Sequence, residues 1–559
     1  MPGAPATRNE YLKRLQALKT ERTSWDTHWY EISQYLLPRN GRFMITDRNK
    51  GTRKHNSILD NTGTRSLRVL GAGLMSGATS PARPWFRLAT PDPDLMKSDS
   101  VKLWLADSTR RMQRVFQVSN TYRALHMMYE ELGAFGTSAG VLMDDYDSVI
   151  HHYTLTAGEY CITTDYRGRV DGLYRECEKT VGELVKEFGY DNCSATVRNL
   201  YDKGTFDAWV PIIHLMEPRE IRDVTKRDAK NMPFRSVYFE QGVNEDKLLR
   251  ESGFKFFRCL APRWQVGSGD IYGTSPGMEA LGDIKQLQHQ QLRKAEAIDY
   301  KVRPPLQAPS SLLNKPLDRF PGGVTYYDSA PNNGIRSMFE VNLDLNHLLA
   351  DIQDVRERIR GAFYTDLFLM LANVDRTQMT ATEVAERHEE KMLMLGPVLE
   401  RLHNELLSPM VDITFARMLE AGLLLTPPEE LQGQDLNVEF VSILAQAQRA
   451  VSTNSVDRFV LNLGQVATMK PGVLDRFDED KWAEEYADML GVSPDIIVPD
   501  AKVALIREQK AQQMQQAQAA QQAEMMANTA NKLAASPTNE QNALTDVMRN
   551  LQGYGTGGL

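Results

Sequence analysis

A chain of 559 residues, 42% of them hydrophobic, is long enough to bury large cores in about three or four domains. Its formal net charge of −8 argues against a protein that coats nucleic acid, although the charge is graded: residues 1–100 carry 16 Lys/Arg against 9 Asp/Glu, and residues 427–559 carry 10 against 18. With no run of about eighteen apolar residues and no basic-then-apolar N-terminus, a soluble, unsecreted protein with no membrane partner is expected.

In chain order, Thr7-x-x-Glu10 opens a helix whose apolar face is Tyr11, Leu15, Leu18, Trp25, Trp29, Ile32 and Leu36, ending at Pro38. A basic segment comes next, with Arg39, Arg42, Arg48, Lys50, Arg53 and Lys54 against a single Asp47. It fits a solvated loop, a contact with nucleic acid, or a contact with an acidic neighbour. In Leu70–Leu88, Gly71, Gly73 and Gly77 let a helix approach another backbone closely. Pro81 and Pro84 end that helix before Trp85-Phe86 enter a core. A phosphate-binding loop is excluded there, because no Gly-Lys-Ser/Thr comes after the glycines and no strand precedes them. Val101–Val118 and Thr121–Leu132 read as helices. Tyr160–Thr164 and the run from Val170 form a hairpin about the turn Asp165–Gly168. A short helix, Thr180–Phe188, stops at Gly189, and strands are expected at Ile212–Met216, Ser236–Glu240 and Phe254–Cys259 before Ala261-Pro-Arg-Trp264.

Tyr272-Gly-Thr-Ser-Pro-Gly277 leads into a glutamine-rich helix with few apolar residues, stopped by Pro304-Pro305. A Pro/Gly-rich insert comes after it, with one β-like run at Gly323–Tyr327. Leu345, Leu348, Leu349, Ile352, Val355, Ile359 and Phe363 then step by three and four, the pattern of an amphipathic return helix. After a polar loop, Thr365–Met379, the capping box Thr380-x-x-Glu383 opens a helix lasting to Ala421-Gly422, roughly 60 Å long. Its seam is Leu395, Leu399, Leu402, Leu406, Met410 and Ile413, and Pro397 and Pro409 predict kinks. Asn437–Leu444 alternates like a strand, and helical patterns fill 445–469 and 479–490. The Ala/Gln/Met-rich stretch 501–534 has good helix propensity but little to bury, so it needs copies of itself to pack on. Residues 535–559 read as a flexible tail.

Tyr272–Gly277, Thr380–Lys391 continuing into Leu395–Leu402, and Leu70–Leu88 resemble the portal (head-to-tail connector) proteins of short-tailed bacteriophages. The resemblance covers about residues 8–425. It implies an α+β, mainly α, portal fold with wing, stem, clip and crown, assembling as a ring. The implied parts are a wing at 1–274, stem helix 1 at 275–300, a clip at 301–340, stem helix 2 at 341–364 and a channel loop at 365–379. The long kinked wing helix and strand fall at 380–440, the helical crown at 441–534 and the tail at 535–559. It further implies a dodecameric ring around double-stranded DNA at one capsid vertex, in a virion assembled in host cytoplasm. The implied partners are the terminase large subunit, capsid and scaffolding proteins, and a tail adaptor protein. On this resemblance Asn373, Arg376, Thr377, Gln378, Arg356 and Arg360 face the DNA channel. Lys315, Arg319, Tyr326, Tyr327 and Arg336 lie in the clip that docks terminase.

Catalytic patterns are thin. His388-Glu389-Glu390 lacks a zincin's second histidine. His151 and His152 are adjacent on an alternating stretch, so they point to opposite faces and make a poor metal pair. Asp144, Asp145 and Asp147 fit a solvated turn better than a cation site. Cys161, Cys177, Cys193 and Cys259 match neither a zinc pattern nor a disulfide scaffold. No catalytic residue, metal site or cofactor is expected. A channel that DNA slides through cannot be uniformly basic, since each cation–phosphate contact strengthens binding and a ring multiplies it. The return helix meets that demand, with Asp344, Asp351, Asp354 and Glu357 nearly balancing Arg356, Arg358 and Arg360. The alternative is a structural ring or scaffold protein of helical type that never meets DNA. A packaging ATPase or nuclease lacks its phosphate loop or acidic metal cluster.

Overall fold

The computed structural model describes residues 7–45, 51, 54, 56–92, 94–226, 228–243, 247–302, 306–307, 336–337, 346–369, 395–431, 436–442, 444, 459–466, 470, 472, 477–490, 498 and 500–534. The chain divides into two units, 1–491 and 492–559. The mixture is α+β with helix prevailing. Among the described residues no helix is long and apolar enough to cross a membrane.

The first helix, α1 (Arg8–Tyr35), starts where the Thr7 N–H donates to Glu10 Oε2 at 2.9 Å, as its capping box predicts. It joins two apolar clusters. Near its start Tyr11 and Leu15 pack with Ile213, Leu215, Val237 and Phe239, and near its end Trp29 and Ile32 enter the main core. Its charged residues are tied down too: Arg22 donates to the Gly158 carbonyl at 3.0 Å and to the Tyr160 carbonyl.

In helix α2 (Thr62–Ala78) the glycines make room for side chains from other elements rather than for another backbone. A Cβ on Gly71 would lie 2.8 Å from Glu130, one on Gly73 2.2 Å from the Phe368 ring, and one on Gly77 2.8 Å from Leu444. Strand β1 (Phe86–Ala89) comes next, then α3 (Asp99–Val118) and α4 (Thr121–Phe135). Strands β2 (Ala139–Asp145) and β3 (Val149–Leu155) pair antiparallel, so Leu142 opposes His152 and Met143 opposes His151. As the alternation predicts, His152 is buried while His151 is half-buried. Strand β4 (Tyr160–Thr164) turns through Asp165–Gly168 into β5 (Val170–Thr180), with Gly168 at φ +75°.

Strands β6 (Trp209–Pro218), β7 (Phe234–Glu240) and β8 (Arg250–Phe254) complete an antiparallel sheet of order β4-β5-β6-β7-β8. One face meets α1. The other carries α5 (Val181–Phe188) and α6 (Ala195–Asp202), whose Val181, Leu184, Phe188 and Val197 cover Ile212 and Tyr238. The expected strand Phe254–Cys259 is not one strand. β8 ends at Phe254 in this sheet, and β9 (Cys259–Leu260) joins β2 in a separate sheet of order β3-β2-β9. Strand β12 (Asn437–Phe440) pairs antiparallel with β1, bringing Phe440 opposite Phe86.

The first hairpin helix is also interrupted. A capped turn, α7 (Pro276–Glu279), is followed by α8 (Leu281–Val302) after Ala280. Ser275 Oγ accepts from the Met278 N–H at 3.1 Å and donates to the Ala134 carbonyl at 2.7 Å, while a Cβ on Gly277 would meet the Ala134 backbone at 2.7 Å. That close seat against the end of α4 fixes the turn before α8 departs. Of the expected return helix the described part is α9 (Asn346–Ala362), which ends before Tyr364 at φ +52°, while 341–345 lie outside the described residues. Between α8 and α9, β10 (Leu306–Gln307) pairs antiparallel with β11 (Arg336–Ser337).

Of the long helix, the start at 380–394 lies outside the described residues, and Pro397 falls in the first turn of the described helix 395–402. That helix continues through a π-helical turn, His403–Leu407, into the α-helix Ser408–Glu420. The expected break at Pro409 takes this form. A proline ring clashes with the carbonyl four residues back, and the wider π-turn makes room for it, with the Ser408 N–H bonded to the His403 carbonyl. The extra residue per turn shifts the buried face by one position, so Leu406 and Met410 share burial with Leu407 and Val411.

In the second unit, Asp500–Ala534 is one helix, exposed at every described side chain from Lys502 to Asn528 except the half-buried Val503.

Candidate functional site

Of the residues singled out in the sequence, Arg356 and Arg360 lie on α9 of the α8–α9 hairpin. Across the hairpin Arg358 pairs with Asp283 at 3.3 Å and the Gln290 amide donates to Asp351. Numbers that rise along one helix fall along the other, so the two are antiparallel. Burial falls along both. Leu281, Ile284, Leu287, Ile352, Val355 and Ile359 lie in the main core, whereas Leu292, Ile298, Tyr300, Val302 and Leu349 are 41–70% exposed. The hairpin is thus rooted at one end and uncovered at the other. The β10–β11 ladder closes the base of the insert between its arms.

Its root is held by polar groups as much as by apolar ones. Gln288 Oε1 accepts from the Leu59 and Asp60 N–H groups at 2.6 and 2.8 Å, and its Nε2 donates to the Asp60 carbonyl at 3.0 Å. The Asp60 carboxylate, 6% exposed, accepts from Thr62 N–H at 2.9 Å, Thr62 Oγ1 at 2.5 Å and Gln291 Nε2 at 3.0 Å. Arg356 closes the node with Nε at 3.2 Å and Nη2 at 2.7 Å from Asp60 Oδ2. Burial pushes the Asp60 carboxyl up, but the hydrogen bonds from Thr62 and Arg356 and the guanidinium charge outweigh it and hold its pKa below the ordinary range.

Arg356, expected to face DNA, is therefore partly neutralised by Asp60, while Arg360 one turn on is exposed. Arg358 is shared between Asp283 and Asp354, the latter at 3.7 Å. Asn373, Arg376, Thr377 and Gln378 lie outside the described residues, as do Lys315, Arg319, Tyr326 and Tyr327. Arg336 is placed by its backbone alone, opposite Gln307.

Both ends of 370–394 are firmly seated. On one side Phe363, Leu367 and Phe368 are buried, with Phe368 filling the notch at Gly73; on the other Leu395, Leu399 and Leu402 are buried. Glu405 in the π-turn accepts from Arg263, which is 3% exposed, at 2.6 Å. No sequence signal pointed to Asp60, Gln288, Arg263 or Glu405, since each pairs with a residue more than a hundred positions away.

Of the three aspartates read as a solvated turn, Asp144 and Asp145 instead end strand β2 with protein partners. Asp144 pairs with Arg258 at 2.8 Å and lies 3.6 Å from Arg417, and Asp145 accepts from Ser148 N–H and Oγ at 2.9 and 2.6 Å. The four cysteines are free thiols. Among the described residues no cluster of three or more His, Cys, Asp or Glu is arranged to hold a metal ion.

Residues 8–498 match the family model of the bacteriophage head to tail connecting protein. The chain is 62% identical over 544 residues to a "Probable portal protein" of Bordetella phage BPP-1, covering 97% of this chain and 98% of that one. It is 45% identical over 546 residues to the "Portal protein" of Salmonella phage epsilon15, with the same coverage of 97% and 98%. A likeness at 11% identity and TM-score 0.35 extends over 81% of the chain to 96% of a chain from the neck of an empty GTA particle computed with C6 symmetry.

Proposed function

Since the chain belongs to the bacteriophage head to tail connecting protein family, we propose that it is the portal subunit of a short-tailed phage: one copy in a ring at a single capsid vertex, through which DNA enters during packaging and leaves on ejection. The observation that carries this reading is the 62% and 45% identity to two phage portal proteins across 97% of the chain. It acts as a structural conduit, with no chemistry of its own.

In this reading α8 and α9 are the stem. Their exposed half, with Leu292, Ile298, Tyr300, Val302 and Leu349, covers itself against neighbouring copies in a heterologous contact that closes into a dodecamer. The insert 301–340, with Lys315, Arg319, Tyr326, Tyr327 and Arg336, is the clip. It docks the terminase large subunit and later a tail adaptor, while the outer parts of the ring meet capsid and scaffolding proteins. Residues 365–379 face double-stranded DNA through Asn373, Arg376, Thr377 and Gln378, with Arg360 further along the stem. The near balance of charge on α9 suits sliding, because Arg356 and Arg358 are already engaged by Asp60, Asp283 and Asp354. Assembly takes place in host cytoplasm and the product is part of the virion.

The test is imaging and native mass measurement of the full-length protein, with terminase added in a second arm. The expected result is a ring of mass near twelve times 63.3 kDa with a central channel that binds terminase. A monomer persisting at high concentration overturns the ring. A ring that ignores both terminase and DNA favours the purely structural alternative.

A further inference from the structure

Residues 261–264 run beside the start of β2, with Ser138 N–H donating to the Pro262 carbonyl at 3.1 Å and Trp264 N–H to the Gly136 carbonyl at 2.8 Å. From this buried line, two consecutive side chains reach two different parts of the chain. Arg263 gives Glu405 three hydrogen bonds: its backbone N–H at 2.9 Å and Nε at 3.3 Å to Oε2, and Nη2 at 2.6 Å to Oε1. The same guanidinium donates to the Gly168 carbonyl at 2.7 Å, in the β4–β5 turn, and to the Ile271 carbonyl at 3.3 Å. Trp264 packs on the Tyr364 ring, with centroids 6.4 Å apart, where Tyr364 holds φ +52° just past α9. A left-handed φ is costly for a tyrosine and persists only where the surroundings enforce it. Glu405 likewise sits inside a π-turn, an irregular element that needs support from outside the helix.

We propose that Arg263 and Trp264 form a positioning clamp that fixes both chain ends flanking residues 370–394, Tyr364 on one side and Glu405 on the other, to the segment beside the start of β2, which Arg263 also ties to the β4–β5 turn. Its sense for the protein rests on the reading that the segment between those ends meets DNA. The clamp sets where that segment starts and finishes relative to the rest of the subunit. Arginine is required because one planar head must serve a carboxylate and two carbonyls at once, which a lysine ammonium on a flexible stem cannot reproduce.

The experiment is amide hydrogen exchange by mass spectrometry on the full-length protein and on Arg263→Lys, Glu405→Gln and Tyr364→Leu. The clamp requires Arg263→Lys and Glu405→Gln to speed exchange in 399–408 by about tenfold or more and in 361–369 by about threefold or more. Tyr364→Leu must in turn speed exchange in 399–408, and α5 and α6 must stay unchanged throughout. Changes confined to the mutated element overturn the proposal. Should Arg263→Lys fail to fold, the isosteric Glu405→Gln carries the test alone, and silence in 361–369 sinks it. Genome retention by particles assembled with the same variants separates the two readings. Faster exchange at both flanks with normal retention upholds the clamp and removes DNA from the segment it holds.

Discussion

Arg356 and Arg360 stand one turn apart on α9, both were expected to face DNA, and the structure gives them different surroundings. Arg356 donates twice to Asp60, whereas Arg360 is exposed. Truncating one partner of a fully buried ion pair costs about 3–5 kcal/mol. Arg356 is 34% exposed, and Asp60 keeps Thr62 N–H, Thr62 Oγ1 and Gln291 after its loss. Arg356→Ala should therefore destabilise by about 1–2 kcal/mol, and Arg360→Ala by less than about 0.5 kcal/mol. The assay is the first thermal transition together with amide exchange over 57–62 and 283–291, where the node's backbone partners lie. Acid supplies a second reading. The Asp60 pKa is lowered in the fold, so its stabilisation is present above the unfolded carboxyl value of about 3.9 and is lost as pH falls through the lower folded value. The deficit of Arg356→Ala should be full at neutral pH and shrink below about pH 4. Wild-type exchange and melting for Arg356→Ala at pH 7 would refute the node as a structural tie and return Arg356 to the pool of charges available to DNA.

Other outcomes can be checked with single substitutions. Glu131 is fully buried in α4, and burial pushes its carboxyl up to about 8 despite hydrogen bonds from Thr156 and Asn40. A raised folded pKa means stability that is full below the unfolded value and is lost as pH rises towards 8. Glu131→Gln should flatten that decline and melt higher than wild type at pH 9. Gly136→Ala should prevent folding of this region, because a left-handed φ of +74° coincides with a Gly273 carbonyl oxygen 2.1 Å from the new Cβ. Gly73→Ala, whose new Cβ meets the Phe368 side chain first, should cost about 1–3 kcal/mol and leave a folded protein, as melting curves would show. Arg376→Ala should leave ring yield unchanged and reduce packaged-genome retention, more so at high salt, where the remaining phosphate contacts are screened. Normal retention would remove Arg376 from the channel lining, and lost rings would assign it to a subunit bridge.

Features written in a few neighbouring residues were legible. The Thr7 capping box and the Asp165–Gly168 turn each state a local backbone demand, and the structure meets it. The strand expected at Phe254–Cys259 failed for a related reason. Alternation marks which residues are extended, but not that the chain leaves one sheet after Phe254 and enters another at Cys259. Pro409 announced an irregularity, yet only the packing of Leu406, Leu407, Met410 and Val411 decides that it is a π-turn rather than a bend.

The glutamines of α8 were the least legible part of the hairpin. The sequence shows a glutamine-rich helix with few apolar residues, but not which glutamines are buried. Gln288 and Gln290 are in fact buried, and Gln288 clips both sides of the Asp60 peptide as a neighbouring strand would. Hydrogen bonds of this kind are directional, so they fix the angle and register at which the hairpin leaves the body, which a greasy seam alone does only loosely. They also spare the apolar residues. With the root held by Gln288, Gln291, Arg356 and Asp60, the outer half of α8 leaves Leu292, Ile298 and Tyr300 exposed. In the proposed ring, a polar root and an apolar outer half would let the hairpin stand at one fixed angle before neighbouring subunits cover it.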